Sequence, residues 1–365
     1  MSDPYALPLD AGSWSLPDAS DTTFTWRYDE AHARMLSLYA KGKQKQWDAA
    51  ERLDWSIEVD PTRGAMPDES IGLYGSRVWD GMDERARGEL RHHLGAWVNS
   101  QFLHGEQGAL VCSAKLVQAV PGIDQKFYGA TQVMDEARHV EIYDRYLRDK
   151  IGLRYPINKN LETLLDQVIR DSRWDFTFLG MQIMIEGLAL AAFALQRDFS
   201  LEPLSRELNA YVMADEARHV AFGRLALREL YPSLTEPERK EREEFVAEAA
   251  RLLYDRFTAE EVFEALDLPA AECREYTRNS QSMRTFQSFL FSRIVPTIRD
   301  IGLWGPTVER CFEQLGVLHY RDTDYEELAR ADEAIAQTFS DRRAAEAEAA
   351  RVRDIDATIA LGADD

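Results

Sequence analysis

The tetrapeptide Glu-Ala-Arg-His occurs twice in this chain, and an Asp directly precedes each copy. Residues three apart on an α-helix project from the same face, so Glu136 and His139 point in one direction, as do Glu216 and His219. Carboxylate and imidazole groups are ligands for divalent transition metals. Each copy therefore predicts half of a metal site on one helix.

A second glutamate lies 30 residues before each copy, at Glu106 and at Glu186. A constant shift of 80 residues relates the two halves, which a single chance motif would not produce. Two Glu-x-x-His helices and two helices with one Glu each provide the ligands of di-iron and di-manganese carboxylate bundles. We therefore predict a site for two metal ions, with the ligands Glu106, Glu136, His139, Glu186, Glu216 and His219.

The alternative is that these residues are surface ion pairs and ordinary histidines. Glu186 argues against it, because it lies in the apolar stretch Phe176 to Leu195, where Thr177 and Gln182 are the only other strongly polar residues. A buried carboxylate without a cation or a strong partner is costly. The stretch is also long enough to span a membrane. Its central Glu and the matching amphipathic helices favour the core of a soluble bundle instead.

Composition narrows the classes of partner. The chain has 365 residues, a formal net charge of −21 and no basic cluster, so we expect no binding to nucleic acid or to an anionic membrane surface. Three widely spaced cysteines indicate reduced thiols. Met1 to Ser20 lacks the basic and apolar regions of a signal peptide. We therefore expect a cytoplasmic protein.

Helical periodicity is widespread and strand signals are sparse, which predicts an all-α chain. We expect an N-terminal extension with covering helices over 1–82, a four-helix bundle over 83–231, C-terminal helices over 232–340 and a charged tail over 341–365. Together these form one compact domain. The predicted helices are 28–57, 69–82, 83–120, 125–150 with Asp124 as its N-cap, 161–197, 202–231, 236–257, 259–266 and 283–301.

From about Asp83 to Leu230, the sequence resembles the ferritin-like di-iron carboxylate superfamily, in the branch of the ribonucleotide reductase small subunit and the bacterial multicomponent monooxygenases. Asp-Glu-x-Arg-His and the preceding Gly105-Glu106 are the residues that carry the resemblance. The resemblance implies a ferritin-like four-helix bundle and a homodimer. It further implies that one iron binds Glu106 and His139, the other Glu186 and His219, and that Glu136 and Glu216 bridge.

The residues beside the ligands have a physical role in such a site. A histidine that binds a metal usually donates its second N–H to a carboxylate, which predicts this task for Asp135 and Asp215. Arg138 and Arg218 would then neutralise the aspartates. The alternative for these arginines is an ion pair on the helix surface.

Three positions bear on the type of reaction. Leu190 stands where the resemblance to monooxygenase hydroxylases implies a Thr, and Val212 stands where arylamine N-oxygenases of the superfamily have a third His ligand. Tyr143 follows His139 by four residues, the spacing that the reductase small subunit uses for its radical tyrosine. The alternative role of Tyr143 is that of an ordinary core residue.

The leading hypothesis is a non-heme di-iron oxygenase or oxidase that uses O2, because ligands rich in oxygen suit high-valent iron. The cofactor would be two iron ions, with manganese in place of one as an alternative. The substrate would be a small, partly apolar organic molecule, undergoing hydroxylation, N-oxygenation, desaturation or C–C cleavage. A separate protein such as a reductase or ferredoxin, a small reductant or the substrate itself would supply electrons. The predicted pocket residues are Ala109, Ser113, Leu190 and Phe193.

Two other functions remain open at this point. Tyr143 favours a radical-generating subunit like that of ribonucleotide reductase. Metal storage would predict a short bundle that forms cages, and the long flanking regions 1–82 and 232–365 argue against it.

Overall fold

The computed structural model describes residues 4–9, 13–17, 20–29, 31–335, 337–339, 341, 342 and 345. Over these residues the chain is all-α, and its one β-bridge joins Tyr5 to Arg154. The predicted fold class is confirmed. Of the tail predicted at 341–365, all but 341, 342 and 345 lies outside the described residues. The division of the chain into four regions stays a prediction.

Three short helices precede the bundle: α1 Ala33–Gln44, α2 Ala49–Arg52 and α3 Arg77–Asp80. The long helices predicted at 28–57 and 69–82 are therefore wrong. The first is interrupted because the Asp48 carboxylate accepts a hydrogen bond from the backbone N–H of Ala50 and begins a new helix. Gln46 and Trp47 lie in this interruption.

The bundle itself consists of α4 Glu84–Ala119, α5 Ile123–Tyr146, α6 Lys159–Arg170, α7 Trp174–Thr177, α8 Glu186–Phe199 and α9 Pro203–Leu230. The π-helix Phe178–Ile185 joins α7 to α8, and Leu147–Ile151 is a π-helical continuation of α5. Contacts between α4 and α5, between α8 and α9, and between α5 and α9 bring the ligand faces together.

The third bundle helix, predicted at 161–197, is interrupted between Arg170 and Trp174. Asp171 accepts hydrogen bonds from the backbone N–H and the guanidinium of Arg173, and the Lys115 ammonium donates to the carbonyls of Ile169 and Asp171. These side chains satisfy backbone groups that a continuous helix would otherwise use.

The ends of the other bundle helices follow local signals. Asp83 caps α4, and Glu202 accepts from the backbone N–H groups of Leu204 and Ser205 at the start of α9. Asp124 is not the N-cap of α5, because Gly122 holds that position. The Asp124 carboxylate instead accepts a hydrogen bond of 2.8 Å from the backbone N–H of His32, which ties the N-terminal segment to the bundle.

The helices α10 Glu236–Asp255, α11 Glu260–Ala265, α12 Ala270–Asn279, α13 Gln281–Leu290, α14 Ile294–Asp300 and α15 Pro306–Gln314 follow the bundle. Residues 325–335 are also helical. The helix predicted at 283–301 is thus two helices, separated at 291–293 by a turn. The 3₁₀ turn Arg256–Thr258 connects α10 to α11, and α13 packs against α8.

The helical stretch Trp174–Phe199 is long and apolar enough to cross a membrane by length and composition. In the structure, 89% of its most apolar window is buried among the other helices. A core helix has the same composition as a membrane span, so the burial of this stretch explains its hydropathy.

Candidate metal centre

Each predicted ligand comes from the bundle helix that the sequence indicated. Glu106 lies on α4, Glu136 and His139 on α5, Glu186 at the start of α8, and the last two, Glu216 and His219, on α9. The π-helix that ends at Ile185 widens the helical turn just before Glu186. Such segments are frequent at functional sites, and here one sets the direction of a ligand.

The six side chains form two overlapping groups. In each group, one donor atom from every residue lies within 4.8 Å of the others. The exposed fraction of each of the six residues is 5% or less. Glu136 and Glu216 belong to both groups, as expected of carboxylates that bridge two ions. The groups are Glu106, Glu136, His139 and Glu216, and Glu136, Glu186, Glu216 and His219.

Both imidazoles turn the same nitrogen towards the carboxylates. Nδ1 of His139 lies 3.0 Å from Glu216 and 3.2 Å from Glu106, and Nδ1 of His219 lies 3.1 Å from Glu136. Nδ1 is therefore the nitrogen available to a metal in both halves. Nε2 faces away from the cluster and is free to donate its hydrogen.

Asp135 and Asp215 accept hydrogen bonds from these Nε2 atoms, and each aspartate pairs with the histidine of the other motif copy. Asp215 lies 3.2 Å from Nε2 of His139, and Asp135 lies 3.2 Å from Nε2 of His219. Each Asp therefore orients the histidine of the other Asp-Glu-Ala-Arg-His copy. This contact fixes the tautomer of a metal-binding histidine and increases its basicity.

The arginines join the same crossed network. Arg138 lies 2.5 Å from Asp135 and 2.8 Å from Asp215, while Arg218 pairs with Asp215 and lies 3.6 Å from Asp135. The exposed fractions of the two arginine side chains are 7% and 12%, so these pairs lie in the interior and not on a helix surface.

The N-terminal segment contributes two residues that the sequence did not reveal. The Gln46 amide donates to Asp135 at 2.7 Å and accepts from Arg138 at 2.8 Å. The Trp47 indole N–H donates to Asp215 at 2.8 Å. Because both residues are far from the repeated motif and have no ligand-like spacing, only the structure could identify them.

Gln132 is a further polar neighbour that sequence reasoning missed. Its amide donates to Glu136 and to Glu186, both at 3.0 Å. It lies one helical turn before Glu136 on the ligand face, and that spacing was the available signal. Gln132 therefore holds in place Glu136, which both metal groups share, and Glu186 of the second group.

Crowding shifts the pKa values of these groups in the metal-free protein. Burial, together with the charge of Glu216, raises the pKa of Glu106 and of Glu186 well above the usual value. Burial lowers the pKa of His139, but hydrogen bonds to Asp215 and Glu106 outweigh it and leave that pKa well raised. The metal-free cluster therefore retains protons that a divalent cation would displace.

The residues fit two metal ions. Several buried ligand atoms form no well-aligned hydrogen bond with the described residues, even where a neighbouring group is about 3 Å away, although buried polar atoms are normally satisfied. These atoms are Oε2 of Glu136, Oε2 of Glu186, both carboxylate oxygens of Glu216 and Nδ1 of His219. All of them belong to the predicted ligand set. Cations between the carboxylates would satisfy them.

A cavity of about 30 Å³ borders the cluster and is lined by Glu106, Glu186 and Glu216. Of the predicted pocket residues, Ala109 and Phe193 line it. Ser113 and Leu190 share the helix faces of Glu106 and Glu186 but are buried in the core outside the lining of this cavity.

Tyr143 is fully buried, and its hydroxyl donates to the Asn209 carboxamide at 3.0 Å. Its ring lies 5.6 Å from that of Phe102. Burial raises the pKa of Tyr143 well above its usual value. This hydroxyl has a neutral partner, as a core tyrosine requires.

The family model described as p-aminobenzoate N-oxygenase AurF matches residues 28–302, which is more than half of the 365 residues. The chain belongs to this family. The match covers all six ligands and also Gln46 and Trp47. The AurF family is a family of ferritin-like di-iron proteins, which confirms the predicted superfamily and bundle.

Searches of other known proteins gave more distant results. A variant of an R2-like ligand-binding oxidase with an anaerobically reconstituted Mn/Fe cofactor is 16% identical, covers 75% of this chain and 94% of its own, and has a TM-score of 0.46. An R2-like ligand-binding oxidase with an aerobically reconstituted metal cofactor is 14% identical over 86% and 94%, with a TM-score of 0.42. No curated protein sequence matched.

Membership in the AurF family and the buried ligand cluster establish the class of protein. It is a non-heme di-iron oxidoreductase of the oxygenase or oxidase type. The cluster provides ligands for two metal ions, and the same ligand types accept manganese in place of iron.

Proposed function

We propose that this protein uses O2 to oxygenate a small, mainly apolar organic molecule beside the cluster formed by the six ligands. The proposal rests on one observation. The two groups of metal ligands border a cavity whose apolar walls include Ala109, Leu188 and Phe193. Two bound irons would supply the activation of O2. The protein would supply a buried site, since the six ligands are almost completely inaccessible to water.

The chain's own residues perform the positioning. The crossed aspartates hold both imidazoles with Nδ1 towards the cluster, and Gln132 restrains Glu136 and Glu186. The apolar walls exclude water, which strengthens electrostatic interactions inside the site. We propose N-oxygenation of an aromatic amine as the reaction, because the description of the family names an N-oxygenase. The chain differs from the arylamine N-oxygenases of the superfamily at Val212, which stands where those proteins have a third histidine ligand.

The test is oxidation of aromatic amines by the iron-loaded protein with a chemical reductant and O2. We expect N-oxygenated product by mass spectrometry, with the added oxygen derived from ¹⁸O2, and no product from the Glu186→Ala variant. Product without added oxygen would favour an oxidase or desaturase instead. Absence of any O2-dependent product, with iron bound in full, would contradict the proposed function.

We also propose that the protein is a cytoplasmic homodimer and receives electrons from a separate reductase or ferredoxin. The dimer and its location rest on the superfamily and on the composition of the chain. Sedimentation velocity measures the oligomeric state. Reduction of the iron-loaded protein by a purified ferredoxin tests the proposed electron donor.

A further inference from the structure

One end of the bundle interior contains polar side chains whose hydrogen-bonding groups are not satisfied. Among the described residues, six hydroxyl or carboxamide side chains are 0% exposed and carry at least one oxygen or nitrogen atom without a hydrogen-bond partner. We call these residues the polar set. They are Ser113, Tyr128, Gln132, Thr177, Gln182 and Tyr231.

The whole polar set lies on one side of the metal ligands. Its members on α4 and after α9 follow the ligands of those helices, whereas its members on α5 and in the segment 174–185 precede the ligands. Neighbouring bundle helices are antiparallel, so these positions meet at the end of the bundle where α4 and α9 end. Phe102 and Phe193, which line the cavity beside the ligands, lie on the opposite side. A larger apolar cavity of about 670 Å³ lies there too, and Phe102 lines both.

Packing around Phe222 on α9 brings members of the polar set near one another. The ring of Phe222 lies 4.6 Å from that of Tyr128 and 4.8 Å from the aromatic ring that directly follows Thr177. The next residue, Gly223, packs so closely on Gln182 that an added Cβ would lie 2.6 Å from the Cβ of Gln182. Tyr128, Thr177 and Gln182 therefore surround the same turn of α9.

Gln132 connects the polar set to the metal ligands. Its amide nitrogen donates to Glu136 and Glu186, both at 3.0 Å, while its Oε1 has no donor among the described residues. Tyr128 lies one helical turn farther from the ligands on α5. A molecule that donates to Oε1 of Gln132 would therefore lie beside the carboxylates of the cluster.

Tyr231 is the outer end of the polar set. Burial, together with the charge of Asp175, raises the pKa of Tyr231 well above its usual value, an effect that requires the two groups to be close. Asp175 precedes Thr177 by two residues and pairs with Arg242 at 3.0 Å. Arg242 also pairs at 3.1 Å with Glu241, which is half exposed. The polar set thus extends from the ligands to charged groups that reach the surface.

The unsatisfied atoms indicate a bound ligand. Buried polar atoms nearly always have a partner, because an unsatisfied one is costly. The polar set has seven atoms without a partner among the described residues. It contains hydroxyl groups that can both donate and accept and no charged side chain, so a small neutral molecule with the same capacity suits it. Water is such a molecule, and internal waters bind where several polar groups converge, whereas apolar cavities stay dry.

Oxygenation requires protons that the apolar side of the cluster is poorly suited to supply. Transfer of one oxygen atom from O2 to a substrate consumes two electrons and two protons and releases the other oxygen atom as water. The electrons come from the separate donor proposed above. The walls of the cavity beside the ligands are mainly apolar, so a path for protons is needed elsewhere.

We propose that the polar set binds a chain of water molecules, and that this chain conducts protons from Tyr231 to the ligands beside Gln132. Each water accepts one proton and passes another on, so no charge accumulates along the chain. The binding of water is independent of the proposed function, whereas the use of the protons rests on it. The metal centre then lies between an apolar side for the substrate and a hydrated side for protons.

Thr177→Val tests for bound water, because valine has nearly the shape of threonine but lacks the hydroxyl. If water bonds to this hydroxyl, the substitution should lower the thermal unfolding midpoint of iron-loaded protein. If the hydroxyl is dry and unsatisfied, its removal should raise the midpoint, and the inference is wrong. Thr297→Val is the matched control, since the hydroxyl of Thr297 is equally buried but donates to the carbonyl of Arg293 at 2.7 Å. It calibrates the loss of a hydroxyl that has a partner.

Crystal structures of the unmodified protein and of Gln182→Met locate the water directly. We expect ordered water about 3 Å from the Tyr128 hydroxyl and from the Gln182 carboxamide of the unmodified protein. Gln182→Met should lose the water at position 182, because methionine fills a similar volume without these donors and acceptors. Electron density without water at both groups of the unmodified protein would overturn the inference.

A single reaction of Fe(II)-loaded protein with O2 tests the proton path. Gln182→Met should keep its iron but react about tenfold or more slowly, with a larger solvent deuterium isotope effect, because proton supply then limits the rate. A purely structural role would leave the isotope effect unchanged, and so should Thr297→Val. Unchanged rates and isotope effects in both Gln182→Met and Thr177→Val would show that the path is wrong. Failure of the unmodified protein to react with O2 would instead contradict the proposed function.

Discussion

The two halves of the metal centre have the same ligands but different neighbours. A shift of 80 residues places Gln132 opposite Val212 and Tyr143 opposite Gly223. Gln132 donates to carboxylates of both metal groups, whereas Val212 is an apolar core residue. At this position, the first half has a side chain that donates hydrogen bonds to the ligands, and the second half has an apolar side chain.

Packing explains why the second half has no tyrosine. A Cβ added at Gly223 would lie 2.6 Å from Cβ of Gln182, so the π-helical segment leaves no space for a side chain there. Tyr143 occupies the equivalent position in the first half, where Asn209 accepts its hydroxyl hydrogen. The repeat thus specifies where metals bind, and the unrepeated residues specify what surrounds each metal.

Replacing a histidine in either half is expected to have the largest effect. His139→Ala and His219→Ala each remove one nitrogen ligand, so each should lose iron and all O2-dependent activity. Iron analysis of the purified variants measures this. Full iron content in one variant and loss in the other would show that the halves are not equivalent as ligands.

Removal of the metals should make stability depend on pH. In the metal-free protein the pKa values of Glu106 and Glu186 are raised above 4.5 and those of His139 and His219 above 6.5. The folded state then binds more protons than the unfolded state, so the glutamates lower stability as pH rises above 4.5 and the histidines lower it further above 6.5. Chemical unfolding of chelated protein at several pH values measures the slope.

The metal-loaded protein is the control for this prediction. Its ligands are already deprotonated, so the same slope should be absent or much smaller. Equal slopes with and without metal would contradict the assignment of these four residues as ligands.

Substitution of the aspartates tests the crossed arrangement. Asp215→Asn and Asp135→Asn should each weaken metal affinity by about 10-fold to 100-fold, which is typical for a partner of a ligating histidine. Competition with a chromophoric chelator measures the affinity. Because the pairs are crossed, a shift in the His139 ring signals of diamagnetic, zinc-loaded protein should follow Asp215→Asn and not Asp135→Asn. A shift of the His139 signals after Asp135→Asn instead would rule out the crossed arrangement.

Trp47→Phe removes one of several donors to Asp215, so it should weaken metal affinity less than the aspartate substitutions do.

The glycine in the second half tests the packing difference. Gly223→Ala should lower the free energy of unfolding by about 1–3 kcal/mol, because the new methyl group overlaps Gln182. Gly95→Ala on α4 is the control, since a Cβ there meets nothing within 4 Å. It should be neutral or stabilising by about 0.5–1 kcal/mol. Urea unfolding of both variants measures these changes. Equal changes in the free energy of unfolding would refute the packing argument.

Tyr143→Phe is expected to have the smallest effect. It removes one buried hydrogen bond to Asn209, which is worth about 1 kcal/mol. Iron content and product formation should persist under the proposed oxygenase function. Loss of a stable tyrosyl signal in electron paramagnetic resonance, together with loss of activity, would instead support the radical-generating alternative.

Helical spacing and repetition were enough to predict that the six candidate ligands lie together, because this prediction needs no knowledge of packing. It also predicted the long helices that end at clear signals, such as α4 before Pro121. The interruption at 171–173 was missed, because apolar periodicity continues on both sides while Lys115 and Asp171 satisfy the backbone there.

Residues that act through distant contacts were beyond the sequence. Gln46 and Trp47 reach the aspartates only because the N-terminal segment folds across α5 and α9. Of the four predicted pocket residues, only Ala109 and Phe193 line the cavity beside the cluster, because helical spacing identifies a face, but the neighbouring helices decide which part of that face borders the cavity. Their role in binding a substrate stays a prediction.

The most direct test of this account is the metal content of Glu186→Gln. We would load unmodified protein and the variant with Fe(II) anaerobically, remove free iron and measure bound iron per chain. We expect two irons per chain for the unmodified protein and about one or fewer for Glu186→Gln. Glu162→Gln should retain two, because it changes an α6 residue that pairs with Lys159 outside the cluster. Iron binding that is unaffected by Glu186→Gln, or absent from the unmodified protein, would contradict the di-iron centre.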